Sequence, residues 1–254
     1  MYDVDSTTYR SKAFNRRVRF LVFHYTAINF EGSVNALAKG GQVSAHYLLP
    51  TPADPSYRRA GFDRVRIFNL VDESERAWHS GVSAWGGRSN LNDTAIGIEL
   101  VNEATVSNGQ FSFPEYHPEQ IAALVQLSRD ILQRYPDIKP TQVLGHSDIA
   151  IGRKSDPGAA FPWRSLHEAG IGAWYDEEVK TRFQAQFASD RPAFEDIQGK
   201  LRAYGYSVPP RPSDGYMRSL LRAFQLHFRP SDHRGFADAE TLAILYALAQ
   251  RYQA

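Results

Sequence analysis

Residues 18–24 have the sequence V-R-F-L-V-F-H, and this stretch decides the fold that we expect. Its β-branched and aromatic side chains form a nearly continuous apolar run, which is typical of a strand buried on both faces. Strands of this kind belong to layered folds in which helices cover the sheet. The run ends at His24, so a titratable side chain stands at the carboxyl end of the predicted strand.

The large N-terminal part of the chain alternates between predicted strands and helices. Ser33 is predicted to cap a short helix that ends at Gly40-Gly41, and Pro118 to begin a helix that ends before Tyr135-Pro136. This alternation predicts an α/β fold, a central mixed β-sheet flanked by helices, over residues 1–180. Four further strands are predicted, at residues 45–49, 66–71, 95–101 and 142–146.

The pattern changes after Asp190-Arg191-Pro192, where only helices are predicted. Asp238 is placed to cap the last of them. We therefore expect a small C-terminal three-helix domain over residues 190–254, joined by a short linker that few contacts cross. Apolar residues repeat at helical spacing at Met217, Leu220, Leu221, Phe224 and Phe228.

Composition excludes several classes of function. The 254 residues are 43% hydrophobic and 22% charged, which suits a soluble globular protein of one or two domains. A net charge of +1 gives no electrostatic footprint for nucleic acid or for an anionic membrane. The lack of cysteine excludes disulfides, a thiol nucleophile and cysteine-ligated metal. No signal peptide and no apolar run long enough for a transmembrane segment is visible.

Two of the eight histidines, His24 and His146, stand at the carboxyl ends of predicted buried strands. Ligands and catalytic groups of layered α/β folds concentrate at that edge of the sheet. Asp156 follows in a loop rich in Gly, Asp and Pro. Two imidazoles and one carboxylate with an open fourth position would form a catalytic zinc site. On spacing alone, a role for Asp156 as the cap of the turn before Pro157 is as well supported as a role as a zinc ligand.

Two further charged residues have a functional and a structural interpretation. Glu99 interrupts an apolar strand, so it is either paired with a basic neighbour or acts as a general base toward a zinc-activated water. Lys154, two residues before Asp156, is either a solvated loop lysine or a cation that stabilises an oxyanion. The motifs H-E-x-x-H and G-x-S-x-G, which would indicate other hydrolases, are absent.

Several short motifs occur together in a fixed order. In combination they resemble the zinc-dependent N-acetylmuramoyl-L-alanine amidases, a family that includes AmpD-type enzymes, phage lysozyme-type amidases and peptidoglycan recognition proteins. The motifs span nearly all of the predicted large domain. They are V-F-H-Y-T at 22–26, S-A-H-Y-L at 44–48, A-W-H-S-G at 77–81, N-D-T-A-I-G-I-E-L at 92–100, and G-H-S-D-I-A with R-K-S-D-P-G within 145–158.

The resemblance implies a role for each matching residue. The zinc (Zn²⁺) ligands would be His24, His146 and Asp156. Some members carry a catalytic tyrosine just before the strand histidine, but here that position is Ala45, so the acid–base role falls on Glu99 as in the AmpD-type branch. Glu99 and Lys154 would then form the catalytic pair, and His46 would be a packed strand residue. Three residues are expected to touch substrate: Trp78, His79 and Asn92.

The resemblance also implies an activity, a partner and a location. The reaction would be hydrolysis of the amide between N-acetylmuramic acid and L-alanine, on peptidoglycan or on a muropeptide. A recognition protein that binds peptidoglycan without cutting it is the alternative, and it would require loss of a ligand or of the base. The substrate implies the periplasm or cell envelope, or the cytoplasm for an enzyme that recycles wall fragments. No oligomeric state is predicted.

The C-terminal helices resemble small helical peptidoglycan-binding domains. The matching stretches are L-R-A-Y-G-Y at 201–206, L-L-R-A-F-Q-L-H-F at 220–228 and G-F-A-D-A-E-T at 235–241. The turn around Ser213 and Asp214 departs from the usual pattern of such domains. The resemblance implies that this part of the chain binds the cell wall.

Overall fold

A mixed five-stranded sheet is the centre of the computed structural model, which describes residues 1–107 and 110–253. Its strand order is β3-β2-β6-β1-β9, and the remaining strands form two small hairpins, β4 with β5 and β7 with β8. The strands are β1 (Phe20–Tyr25), β2 (Tyr47–Leu49), β3 (Phe68–Asn69), β4 (Ala84–Trp85), β5 (Arg88–Ser89), β6 (Ala95–Leu100), β7 (Thr105–Ser107), β8 (Gln110–Ser112) and β9 (Val143–Gly145).

Parallel pairing dominates the sheet. Strand β1 pairs parallel with both β6 and β9, and β2 pairs parallel with β6, whereas β3 is an antiparallel edge strand. Phe20, Leu21, Val22 and Phe23 of β1 are all buried, as expected for a strand covered on both faces. The predicted α/β fold with a central mixed sheet is thereby confirmed.

Helices cover the sheet and form the C-terminal part of the chain. In the described ranges no helix combines the length and the apolar character that a membrane crossing requires. The helices are α1 (Phe30–Val34), α2 (Pro55–Arg59), α3 (Pro118–Arg134), α4 (His146–Ile149), α5 (Trp163–Glu168), α6 (Glu177–Phe187), α7 (Phe194–Tyr204), α8 (Asp214–Phe228) and α9 (Ala239–Tyr252).

Local capping decides where these helices begin, and here the predictions are partly wrong. Helix α3 begins at Pro118 and α9 is capped by Asp238, as predicted. Ser33, however, lies inside α1, because the Asn29 side chain accepts a hydrogen bond from the Gly32 N–H and caps that helix instead. The Pro- and Asp-rich segment after β2 contains α2, which Asp54 caps.

The C-terminal helices share one core with the sheet. Helix α6, which precedes residues 190–192, packs against α9, which follows them. The domain division predicted at 190–192 stays a prediction. Leu21 of β1 and Phe224 of α8 belong to the same contiguous cluster of buried apolar side chains. Many contacts therefore cross the predicted boundary, and burial of α8 and α9 also stabilises the sheet layer.

A buried carboxylate joins the two parts of the chain. Asp148 of α4 is 0% exposed, and its Oδ2 accepts hydrogen bonds from the Gly145 N–H at 2.8 Å and from His227 Nδ1 at 2.7 Å. Its Oδ1 accepts a hydrogen bond from the Tyr206 hydroxyl at 2.7 Å. The His227 ring stacks on Trp163 with centroids 3.6 Å apart. Two side chains of the C-terminal part of the chain thus complete the hydrogen bonding of a carboxylate in the N-terminal layer.

We expect Tyr206→Phe to destabilise the protein by about 1–3 kcal/mol, because it leaves a buried carboxylate oxygen without a hydrogen bond. The free energy of unfolding in urea would measure the loss. Tyr216→Phe is the matched control, since the Tyr216 hydroxyl donates to the Ser207 carbonyl at an exposed site. Equal stability of Tyr206→Phe and wild type would contradict the conclusion that Asp148 holds the two parts of the chain together.

Candidate active site

The candidate site lies at the carboxyl edge of the parallel strands. His24 of β1 and Glu99 of β6 are register partners, so both side chains project from the same face of the sheet. His146 follows directly after β9, as the first residue of α4. Gly145 before it is required by close packing, because a Cβ there would lie 2.7 Å from Cδ of Pro157. The sheet topology thus places three functional side chains from separate parts of the chain at one edge.

Three buried donor atoms converge at this edge. His24 Nδ1 lies 3.0 Å from His146 Nδ1 and 2.9 Å from Asp156 Oδ2, and His146 Nδ1 lies 3.0 Å from Asp156 Oδ2. Among the residues that the structure describes, this is the one group of His, Asp or Glu side chains placed to hold a metal ion. The side-chain atoms predicted as ligands are therefore brought together.

Outer hydrogen bonds orient both imidazoles. His146 Nε2 lies 3.0 Å from the Ser80 carbonyl oxygen, to which it can only donate, so Nδ1 presents its lone pair to the site. His24 Nε2 lies 3.0 Å from His79 Nδ1, and a His24 that donates from Nε2 likewise presents a lone pair on Nδ1. Two lone pairs and a carboxylate that face one another repel unless a cation lies between them, so this donor set fits a metal ion.

Hydrogen bonds also hold residues 79 and 80, which supply these outer partners, in one conformation. The side-chain oxygen of Asn92 accepts hydrogen bonds from the His79 N–H at 3.1 Å and the Ser80 N–H at 2.7 Å. Arg153 donates to the Ser80 carbonyl at 2.8 Å. The His79 ring packs on Gly97 of β6, where a Cβ would lie 2.4 Å from its Cγ. Residues 79 and 80 therefore form a rigid support behind both candidate histidine ligands.

Burial sets the protonation of the site. Burial, and secondly the neighbouring His146, lower the pKa of His24 to about 4, so His24 is neutral near pH 7. Although burial acts in the opposite direction, the His146 and His24 rings hold the pKa of Asp156 well below its usual range. Burial, and secondly the Asp156 charge, raise the pKa of Glu99 to about 8. Metal binding requires a neutral His24 and an ionised Asp156, and these pKa shifts favour both forms.

Glu99 and Lys154 line a cleft beside the three donor atoms. The cleft has a volume of about 170 Å³, and His79, His146 and the half-exposed Trp78 also line it. The Glu99 Oε2 atom is buried and has no hydrogen-bond partner among the described residues. A larger cavity of about 740 Å³ lies elsewhere, but none of the three converging side chains lines it. The chemistry therefore identifies the smaller cleft as the candidate site.

The remaining predicted residues occupy different positions. Trp78 and His79 line the cleft, whereas Asn92 is absent from its lining and binds the backbone of residues 79 and 80. Direct substrate contacts of all three stay a prediction. His46 is buried beside β6, where its Nδ1 accepts a hydrogen bond from the Gly97 N–H at 3.0 Å.

Sequence reasoning missed the contributions of Ser80 and Arg153. Ser80 acts through its backbone carbonyl, which no residue pattern reveals, and Arg153 was quoted only as a letter of the R-K-S-D-P-G motif. Both residues lie inside motifs that carry the family resemblance, W-H-S-G and R-K-S-D-P-G, and this was the available signal.

Comparison with known proteins gives a consistent result. Residues 14–159 match the family model described as N-acetylmuramoyl-L-alanine amidase. The chain is 44% identical over 253 residues to N-acetylmuramoyl-L-alanine amidase AmiD of Escherichia coli K12, covering 99% of this chain and 89% of the relative.

Two solved structures extend this similarity to the whole fold. AmpDh3 of Pseudomonas aeruginosa in complex with anhydromuramic pentapeptide is 56% identical, with a TM-score of 0.96 and 99% of each chain covered. AmiD of E. coli in complex with the substrate anhydro-N-acetylmuramic acid-L-Ala-D-gamma-Glu-L-Lys is 44% identical, with a TM-score of 0.86, 97% of this chain and 94% of that chain covered. The predicted resemblance, enzyme class and muropeptide partner are confirmed, and the chain belongs to the N-acetylmuramoyl-L-alanine amidase family.

Proposed function

We propose that this amidase is zinc-dependent and cuts the bond between N-acetylmuramic acid and the L-alanine of the peptide stem. The convergence of His24, His146 and Asp156 within 3.0 Å of one another is the observation that carries the proposal. Zinc held by these three side chains would supply a Lewis acid that activates water and polarises the substrate carbonyl. Two nitrogens and one oxygen form the ligand set of a catalytic zinc site, in which water would occupy the fourth position, and not that of a closed structural site.

Glu99 is proposed as the proton carrier. Its carboxylate takes a proton from the attacking water and delivers it to the leaving amine nitrogen of L-alanine, so the products are a lactyl carboxylate and a free amine. The buried and unpartnered Oε2 supports this role, because a carboxylate that is not held by an ion pair is free to accept a proton. Burial and the Asp156 charge raise its pKa toward the neutral range, which suits a group that must both accept and donate a proton.

Lys154 is proposed to stabilise the oxyanion. It lines the same cleft as Glu99, and its ammonium group can donate a hydrogen bond to the negative oxygen of the tetrahedral intermediate. Its position two residues before the proposed ligand Asp156 places it in the same loop as that ligand.

Peptidoglycan lies outside the cytoplasm, so we propose that the enzyme acts in the periplasm or cell envelope. The second candidate location is the cytoplasm, where the enzyme would recycle wall fragments.

Purified protein is expected to bind about one zinc ion per chain, since the three residues define one site. His24→Ala, His146→Ala and Asp156→Ala should each lose both zinc and amidase activity. Metal content by mass spectrometry and release of the peptide from a soluble muropeptide measure the two properties. An active, metal-free His146→Ala protein would overturn the proposed mechanism.

Glu99→Gln should retain zinc but lower the rate by roughly two to four orders of magnitude, the loss expected when a general base is removed. Lys154→Met should act in the same direction through the oxyanion. If Glu99→Gln loses its zinc, Glu99 is a metal ligand and its proposed role as a general base is wrong.

Stability provides a second readout for Glu99→Gln that does not depend on catalysis. Glu99 ionises above pH 4.5 when exposed but only near pH 8 in the metal-free fold. Between pH 4.5 and pH 8, Glu99 is therefore protonated in the folded state but ionised in the unfolded state. The free energy of unfolding of the wild type should fall relative to that of Glu99→Gln as the pH rises through this range. Urea unfolding of the metal-free proteins at pH 5 and pH 8 would measure this change. A difference of the same size at both pH values would contradict it.

His79→Phe should weaken zinc binding by about 10- to 100-fold, because it removes the acceptor that orients His24 while it retains an aromatic ring on Gly97. Competition with a fluorescent chelator measures this affinity. His167→Phe is the control, since His167 lies in α5 and does not line the cleft. Unchanged affinity in His79→Phe would leave His79 with a substrate-binding role alone.

A further inference from the structure

Two consecutive residues at the end of strand β1 contact two consecutive residues of the loop that carries Lys154. His24 Nδ1 lies 2.9 Å from Asp156 Oδ2, and the Tyr25 hydroxyl oxygen lies 2.6 Å from the Ser155 hydroxyl oxygen. The strand end and the loop therefore run in opposite directions past each other. Lys154 is the next residue of the loop beyond the second contact, so the hydrogen bond lies directly beside the backbone that carries the lysine.

Tyr25 lines the cleft without taking part in the proposed bond cleavage. Its side chain is half-buried and lies in the cleft wall together with Glu99 and Lys154. The Tyr25 ring also packs against Phe113, with ring centroids 6.3 Å apart, a normal separation for an aromatic pair. A ring held by its strand and by a second aromatic side chain presents its hydroxyl at one place. Tyr25 is therefore a fixed attachment point for the loop.

Backbone hydrogen bonds hold the loop on either side of Ser155. The Lys154 N–H donates to the Ala150 carbonyl at 3.1 Å, and the Asp156 carbonyl accepts from the Ser147 N–H at 2.9 Å. Both of these bonds stay within the loop and helix α4. The Ser155 side chain adds the hydrogen bond that joins this segment to strand β1. The position of the loop relative to the sheet therefore depends on that side chain as well as on the proposed metal ligand.

Lys154 requires such support, because its side chain is long and exposed. Fixing the rotamers of a lysine costs up to about 2 kcal/mol, and an oxyanion is stabilised only by a donor within about 2.7–3.1 Å. Burial, and secondly the Asp156 charge, raise the pKa of Glu99, whereas the Lys154 charge acts in the opposite direction. This effect is expected of an ammonium group near the Glu99 carboxyl. A fixed backbone at Lys154 keeps the ammonium group within reach of the cleft.

We propose that the hydrogen bond between Tyr25 and Ser155 positions Lys154 for stabilisation of the oxyanion. Tyr25 and Ser155 are positioning residues, which act on the reaction through the backbone of Lys154 and exchange no proton with the substrate. The inference rests on the proposed function, because it assigns supporting residues to the proposed role of Lys154.

Rates of the full-length zinc-loaded enzyme on a soluble muropeptide test the proposal. Tyr25→Phe and Ser155→Ala should each lower kcat about tenfold, the scale of one lost hydrogen bond, with little change in KM or in zinc affinity. The double variant should be no slower than either single variant, because both substitutions break the same bond. Ser155→Thr keeps a hydroxyl and should recover most of the wild-type rate.

A second comparison measures whether the effect passes through Lys154. In the Lys154→Met background, Tyr25→Phe should change kcat by less than about twofold, since the group that it positions is already absent. Tyr216→Phe is the matched control, because that hydroxyl donates to the Ser207 carbonyl away from the cleft, and it should behave as wild type.

Three results would overturn the positioning role. They are a further tenfold loss from Tyr25→Phe in the Lys154→Met background, a loss from Tyr25→Phe that Ser155→Ala does not share, and a fall in zinc affinity that accounts for the lower rate. The last result would place the effect at Asp156 instead of Lys154. Failure of the wild-type enzyme to cleave the muropeptide would instead overturn the proposed function.

Discussion

The parallel pairing of β1 with β6 on one side and β9 on the other is the constraint on which the site depends. Because the three strands point the same way, His24, Glu99 and His146 arrive at one edge of the sheet. The register that pairs His24 with Glu99 sets the proposed metal ligand beside the proposed base. A slip of one residue would turn either side chain to the opposite face and separate them. The buried apolar run of β1 holds this register, since every residue from Phe20 to Phe23 packs in the core.

Support for the site extends into two outer layers. The backbone at residues 79 and 80, fixed by Asn92, orients the two imidazoles from behind. Asp148, two residues after His146, binds Tyr206 and His227 of the C-terminal part of the chain. The C-terminal helices are therefore joined to the element that carries a proposed ligand, in addition to any role in binding the cell wall. Such outer contacts limit the movement of catalytic groups and make a site precise.

The sequence was sufficient for the features that depend on local pattern. The apolar run at 18–24 predicted β1, Pro118 predicted the start of α3, and motif order predicted the family. Features that depend on contacts between distant segments could not be predicted. Asn29 caps α1 in place of Ser33 because of the local backbone conformation. The hydrogen bonds to Asp148 come from partners 58 and 79 residues away in the sequence. The boundary predicted at 190–192 rests on a change in sequence pattern, and such a pattern does not show how closely two helices pack.

His24, His146 and Asp156 are proposed to bind one catalytic zinc ion. Anomalous diffraction at the zinc absorption edge, from crystals of the zinc-loaded enzyme, tests it most directly. We expect one strong peak within about 2.0–2.2 Å of His24 Nδ1, His146 Nδ1 and Asp156 Oδ2, with Glu99 outside the coordination sphere. A peak located elsewhere, or one that Glu99 ligates in place of Asp156, would contradict it.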